Sequence, residues 1–292
     1  MKYLSGVIAV LAMLFLSACP SWAKLDVVAS FSILGDMVEQ VAGDKATVTT
    51  IVGPDADAHL YAPTTSDAVA VSEADLVIVN GLGFETWSAK LIDASGTDAA
   101  IAVATTGITP LLVEGEIDPH AWNALSNAII YVDNIEAALS AASPEDAAIF
   151  KQNADAYRAQ LHRLHRRALA DIASLPADSR IVVTAHDAFG YLADAYGLTF
   201  LAPQGIDTEA EPSAKELATL IGFLNETGAG ALFVENIANS DLIAQISRET
   251  GLQIGGRLYS DALSVRGSPA TSYLAMFTHN LELIINTLAA SK

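Results

Sequence analysis

Three histidines stand singly at the ends of apolar runs and could act as metal ligands. They are His59 in PDADAHLYAP, His120 in EIDPHAWN and His186 in IVVTAHDAFGY. A carboxylate follows in RLYSDALS, where Asp261 lies 75 residues beyond His186. Three imidazoles and one carboxylate form a complete ligand set for a four-coordinate divalent transition-metal ion. If the fold brings these four side chains together, the chain holds a metal ion.

The other three histidines are not predicted to bind metal. His162 and His165 share one face of a helical segment. Arg166 and Arg167 lie on the same segment, and their charge would repel a cation. His279 lies in the last helical segment among apolar neighbours, where a structural role is expected.

The candidate ligands are placed where an α/β lobe presents its ligands, beyond the carboxyl ends of its strands. His186 comes directly after the apolar run at 181–184, and Asp261 follows another strand-like run. These two residues belong to the second half of the chain, whereas His59 and His120 belong to the first half. A site made from all four would therefore be assembled across a cleft between two lobes.

Strand-like runs alternate with helical patterns on both sides of one long helical segment. The alternation predicts lobes with mainly parallel sheets. The helical segment begins at Ser143 and, after Pro144, contains no Gly or Pro until Pro176. About 30 residues at about 1.5 Å each would span roughly 45 Å. We expect Ser143 to be its N-cap and the helix to be a rigid strut.

The predicted fold class is therefore α/β, with two βα lobes joined by one long rigid helix and a metal site in the cleft between the lobes. The predicted boundaries are residues 1–23 for a signal peptide, 24–142 for the first lobe, 143–175 for the linking helix and 176–292 for the second lobe.

The first 23 residues are typical of a secretory signal peptide, with one lysine, a long apolar run and then small residues. Ser21-Trp22-Ala23 fits the small-x-small cleavage rule and predicts a mature protein that starts at Lys24. Leu16-Ser17-Ala18-Cys19 also resembles a lipobox, in which Cys19 would be lipidated. We expect release into the periplasm, because the first strand-like run begins too close to Cys19 to leave a tether.

Composition argues against two classes of partner. Removing residues 1–23 takes away one of the 15 basic residues and none of the 34 acidic ones, so the mature chain has a net charge of −20. So acidic a surface argues against nucleic acid and against anionic lipid. The same cleavage removes the single cysteine, which leaves no thiol ligand and no disulfide.

The sequence contains no motif of a common class of enzyme. The His-Glu-x-x-His, Gly-x-Ser-x-Gly, phosphate-loop and dinucleotide patterns are all missing from it. A zinc-dependent hydrolase is the alternative class, and it would need an open coordination position with a carboxylate base beside it. Asp57 and Asp187 could be that base, but nothing in the sequence singles them out.

Several motifs resemble one family in the same order along the chain. The chain is similar to the periplasmic solute-binding components (cluster A-I) of ABC transporters for zinc and manganese. The resemblance rests on GPDADAHLYAPTTSD, DPHAWN, VVTAHDAFGYLADAYGL, EAEPSAKEL at 209–217, FVEN at 233–236 and LYSDALS. It implies two α/β lobes joined by a long helix, no enzymatic activity, and His59, His120, His186 and Asp261 as metal ligands. It also implies a membrane permease as partner, and we further expect a monomer that could receive metal from a periplasmic metallochaperone.

The third ligand bears on the choice of metal. In the family that the chain resembles, histidine at this position is typical of zinc-type members, whereas manganese-type members more often have glutamate. His186 therefore favours Zn²⁺, which also binds imidazole more tightly than Mn²⁺ does. Manganese stays as the alternative, and the stretch before His120 has no histidine-rich loop. We expect Glu209 and Glu211 to hold the ligand rings in place.

Overall fold

The computed structural model describes residues 24–176, 179–227 and 230–290. The predicted signal peptide at 1–23, which includes Cys19, lies outside the described residues. Within the described part, two α/β lobes are each built on a parallel sheet of four strands and are joined by a long helix. The predicted fold class is confirmed. In that part of the chain, no helix is both long enough and apolar enough to cross a membrane.

The first lobe alternates strands and helices as the sequence predicts. Its elements are β1 (Leu25–Phe31), α1 (Ser32–Ala42), β2 (Ala46–Val52), α2 (Thr65–Glu73), β3 (Leu76–Val79), α3 (Ser88–Ser95), β4 (Ala100–Val103), β5 (Leu112–Val113), β6 (Glu116–Ile117) and α4 (Leu125–Ala142). The parallel sheet has the order β2-β1-β3-β4, and β5 and β6 form a separate antiparallel hairpin. All of β3 is buried, which is typical of a parallel strand covered on both faces.

The linking helix is α5 (Ala147–Ala173), whose 27 residues span roughly 40 Å at about 1.5 Å per residue. It packs against α1 and α4 of the first lobe and also contacts two helices of the second lobe. The expected N-cap is wrong. Pro144 opens a tight 3-10 turn ahead of α5, and the Ser143 hydroxyl bonds the Asp146 carboxylate at 3.3 Å instead of a backbone N–H.

The second lobe repeats the pattern with a second parallel sheet. Its elements are β7 (Ile181–Val183), α6 (Gly190–Tyr196), β8 (Thr199–Leu201), α7 (Ala214–Thr227), β9 (Ala231–Glu235), α8 (Ser240–Thr250), β10 (Ile254–Leu258) and α9 (Tyr273–Ala290). The strand order is β10-β9-β7-β8. The two helices that contact α5 from this lobe are α6 and α9.

The two lobes share one hydrophobic core. A continuous cluster of buried apolar side chains includes Val27 and Trp122 of the first lobe together with Phe233 and Phe277 of the second. A smaller cluster under α7 and α8 is confined to the second lobe. Hydrogen bonds also cross between the lobes, since the Trp122 indole N–H donates to the Ser260 carbonyl at 2.8 Å. The lobes are therefore packed together along a broad junction.

Candidate metal centre

The structure brings the four predicted ligands together at the junction of the lobes. One ligand atom from each residue lies within 4.8 Å of the others: His59, His120, His186 and Asp261. His59 is 7% exposed and the other three are fully buried. No other group of this kind, with three or more His, Cys, Asp or Glu side chains, occurs in the described part of the chain.

Asp261 is at the centre of the group. Its Oδ2 atom lies 3.2 Å from Nε2 of His59, 3.7 Å from Nε2 of His120 and 3.1 Å from Nε2 of His186. The Nε2 atoms of His59 and His120 are 3.3 Å apart. All three rings thus present the same nitrogen to one point.

His59 lies in the loop between β2 and α2, where first-lobe residues hold its backbone. The Asp57 Oδ1 atom accepts the backbone N–H of His59 at 2.8 Å. The Trp87 indole N–H donates to the carbonyl of Ala58, the preceding residue, at 2.8 Å. The ring itself packs edge-on against Phe84, with 4.8 Å between ring centroids. These contacts leave Nε2 free to face Asp261.

Asp118 orients His120. Its Oδ1 atom is 2.9 Å from the backbone nitrogen of His120 and 2.8 Å from Nδ1 of the ring. A carboxylate at Nδ1 holds the proton on that nitrogen and leaves Nε2 with a lone pair for a metal ion. The Asp118 carbonyl is itself fixed by the Tyr191 hydroxyl, which donates to it at 2.9 Å.

Glu235, the last residue of β9, does the same for His186. Its Oε1 atom accepts the backbone N–H groups of Ala185 and His186 at 2.8 and 3.0 Å. Its Oε2 atom lies 2.7 Å from Nδ1 of His186. Because β7 and β9 are adjacent parallel strands, their carboxyl ends place the carboxylate directly behind the ring.

The buried carboxylates dominate the electrostatics of the site. Burial alone lowers the pKa of His120, but Asp261 and Asp118 outweigh it and raise that pKa to about 9. Burial likewise lowers the pKa of His186, and Glu235 with Asp261 raises it well above its usual value. Burial raises the pKa of Asp261, yet the neighbouring rings bring it well below its usual value. The site therefore favours positive charge, supplied by protons or by a metal cation.

One oxygen of the candidate ligand Asp261 is left without a hydrogen-bond partner. Oδ1 of Asp261 is buried and accepts no hydrogen bond from any described residue. An unpaired charged oxygen away from water is costly unless a cation or donor meets it. It is therefore available as a further ligand atom, so that Asp261 can bind an ion through one or both oxygens.

The expected roles of Glu209 and Glu211 are wrong, because both side chains are exposed and, among the described residues, neither forms a hydrogen bond with a ligand ring. Glu209 instead lines a cleft of about 620 Å³ that opens beside His59 and also contains Glu116 and Asp207. The residues that sequence reasoning missed are Asp118 and Glu235. Asp118 could have been recognised because it lies two residues before His120 in DPHAWN. Glu235 could have been recognised because it ends the strand-like run in FVEN.

The remaining histidines lie outside the group, as predicted. His165 Nδ1 is 2.9 Å from the Tyr196 hydroxyl, and His279 Nε2 is 3.1 Å from the Arg257 carbonyl. His162 is exposed on α5.

Comparisons with known proteins place the chain in a family. The family model described as "Zinc-uptake complex component A periplasmic", ZnuA, matches residues 27–287. The manganese-binding lipoprotein MntA of Halalkalibacterium halodurans is 33% identical over 266 residues, which is 91% of this chain and 89% of that protein. The iron-binding protein YfeA of Yersinia pestis is 35% identical over 266 residues, 89% of this chain and 85% of that protein.

A solved structure agrees with these matches. The periplasmic zinc binding protein TroA from Treponema pallidum superposes with a TM-score of 0.87 at 30% identity, covering 91% of this chain and 99% of that one. The chain therefore belongs to the ZnuA family of metal-binding components of ABC transporters. It is an extracytoplasmic substrate-binding protein rather than an enzyme, so the zinc-dependent hydrolase is excluded. The three relatives differ in the metal that their names give: manganese, iron and zinc.

The contacts behind the rings predict the effect of Glu235→Gln. The variant keeps an oxygen for the two backbone N–H groups but places an amide donor opposite Nδ1 of His186, which disfavours the tautomer with a free Nε2. Loss of such an outer partner typically costs about 10–100-fold in metal affinity. We expect a loss in that range, measured by competition with a chromophoric chelator.

Glu209→Gln is the matched control and should bind metal as the parent does, since Glu209 is exposed. Circular dichroism of both variants checks folding. Equal affinities for the two variants would contradict the role assigned to Glu235.

Proposed function

We propose that this member of the ZnuA family captures one divalent transition-metal ion through His59, His120, His186 and Asp261 and delivers it to the permease of its ABC transporter. The observation that carries the proposal is the convergence of four buried ligand atoms within 4.8 Å. Two ligands come from each lobe, so an ion bound there would be enclosed at the junction. The ion is the cargo, and the imidazoles would bind it as neutral rings through Nε2.

Zinc is the ion that the donor set favours. Three imidazole nitrogens and one carboxylate suit tetrahedral Zn²⁺, with bonds of about 2.0–2.2 Å. For one set of nitrogen and oxygen ligands, Zn²⁺ also binds more tightly than Mn²⁺ or Fe²⁺. We therefore propose zinc as the cargo.

Manganese is the second candidate, and two observations favour it. A relative that matches over most of this chain is named for manganese. The unpaired Oδ1 of Asp261 could add a fifth ligand atom, and a hard bidentate carboxylate suits Mn²⁺.

The mature protein is proposed to be released into the periplasm by cleavage after Ala23, to act as a monomer, and to accept metal as a free ion or from a metallochaperone. The first strand begins at Leu25. A lipid on Cys19 would therefore leave five residues, 20–24, between the anchor and the sheet.

Removal of one imidazole tests the site. In His186→Ala, Asp261 and Glu235 lose the imidazole ring that lies between them. Because loss of an outer partner alone costs about 10–100-fold, loss of a ligand should weaken zinc binding by more than about 100-fold. Isothermal titration of the metal-stripped protein measures this, with His162→Ala on the exposed face of α5 as the control. Parent-like zinc affinity in His186→Ala would show that the ion binds elsewhere.

A competition titration tests the metal. Metal-stripped protein receives equimolar Zn²⁺ and Mn²⁺, is separated from free ions by rapid gel filtration, and is analysed for bound metal by mass spectrometry. We expect one ion per chain and zinc in nearly every copy, because Zn²⁺ binds a given set of nitrogen and oxygen ligands more tightly than Mn²⁺ does. Predominant manganese would make the second candidate the better assignment.

The mass of the mature protein tests the processing. Cleavage after Ala23 predicts a free amino terminus at Lys24 and a protein recovered in the periplasmic fraction. A mass that includes Cys19 with attached acyl chains, together with recovery in the membrane fraction, would contradict it.

A further inference from the structure

Asp55 links the loop that carries His59 to the second lobe. Its Oδ2 atom accepts hydrogen bonds from the Ser264 hydroxyl at 2.8 Å and from the backbone N–H of Val265 at 3.3 Å. Its Oδ1 atom accepts one from the side-chain amide of Asn236 at 3.1 Å. Its backbone N–H donates to the Leu263 carbonyl at 2.8 Å. We call these four hydrogen bonds the clasp.

The backbone of Asp55 is held in a conformation that side chains rarely adopt. Its φ is 55°, in the left-handed region. Asp tolerates that region better than most residues, and such a conformation persists where surrounding contacts hold it. The clasp supplies those contacts, and all of them come from the opposite lobe.

The partners of Asp55 lie close in sequence to residues of the metal centre. Asn236 follows Glu235, the carboxylate behind His186. The segment at 263–265 begins two residues beyond Asp261. Asp55 itself precedes His59 by four residues. The clasp thus connects a first-lobe segment to second-lobe segments, and each of these segments lies within a few residues of the metal centre.

Asp57 adds a second link between the same loop and the second lobe. Its Oδ2 atom accepts the Thr208 hydroxyl at 2.6 Å, while Oδ1 holds the backbone of His59. His59 is also the least buried ligand and the one that lines the 620 Å³ cleft. Movement of this loop away from the second lobe is therefore the shortest route by which the site could open.

We propose that Asp55 is a positioning residue that sets the rate of metal release, because His59 cannot withdraw from Asp261 until the clasp breaks. This inference rests on the proposed function, since it requires an ion at the four ligands. Asp55 touches no ligand side chain, so its effect is on the opening of the site and not on the bonds to the ion.

Asp55→Gly tests the proposal with little risk to folding, since glycine adopts a positive φ without strain. It removes three of the four bonds and keeps the backbone N–H. The zinc-loaded protein is mixed with excess chelator in a stopped-flow instrument, and association is measured separately. We expect release to accelerate about tenfold, given the usual strength of hydrogen bonds to a charged group, with association changed less than about twofold.

Asp98→Gly is the matched control. Asp98 is an exposed first-lobe aspartate whose side chain makes no hydrogen bond or ion pair within the described part of the chain. The control removes the same charge and should release zinc at the parent rate. Asp55→Asn keeps the acceptor for Asn236 but loses the oxygen that Ser264 and Val265 share, so its release rate should lie between those of the parent and Asp55→Gly.

The outcomes separate the two proposals. Parent protein that binds no zinc, or parent-like affinity in His186→Ala, would overturn the proposed site. Zinc-binding parent protein with equal release rates in Asp55→Gly and the parent would overturn the clasp alone. Equal acceleration in Asp98→Gly would also overturn it, because the effect would then come from charge. A Ser264→Ala variant completes a double-mutant cycle with Asp55→Gly, in which additive effects would contradict a direct bond.

Discussion

The buried carboxylate of Asp261 is the constraint on which the arrangement of the site depends. A negative charge away from water is costly unless positive charge or hydrogen-bond donors meet it. Asp118 and Glu235 place two more buried carboxylates behind the rings of His120 and His186. Three carboxylates against three imidazoles make an environment that accepts protons or a divalent cation. Affinity for a cation therefore comes from the outer carboxylates as well as from the ligand atoms.

The packing of the lobes limits how that environment can be opened. The helix α5 contacts both lobes, and one continuous apolar core passes through their junction. Separating whole lobes would expose that core to water, at a cost that grows with the apolar area exposed. Movement of a surface loop exposes far less. The loop that carries His59 is held to the second lobe by polar contacts, which water can replace.

The fold and the clustering of the four candidate ligands could be predicted because their signals are local in the chain. Apolar runs that alternate with helical patterns indicate parallel sheets, and His186 and Asp261 each lie three residues beyond the end of such a run. The outer partners depend on strand register instead. Glu235 reaches His186 because β9 lies beside β7, a pairing that no single segment encodes. The strand end in FVEN was the one sequence signal that set Glu235 apart from exposed Glu209, and no signal indicated that Asp55 would adopt a positive φ.

The site joins parts of the chain that are far apart, since His59 and Asp261 are separated by 202 positions. No cysteine occurs beyond residue 19, so no disulfide within the mature chain can link these distant parts. An ion bound at the four proposed ligands would act as a reversible cross-link that closes this long loop. Ligand binding adds to the free energy of unfolding in proportion to the logarithm of ligand concentration. Under the proposed function, the metal-loaded protein is therefore harder to unfold than the metal-free protein.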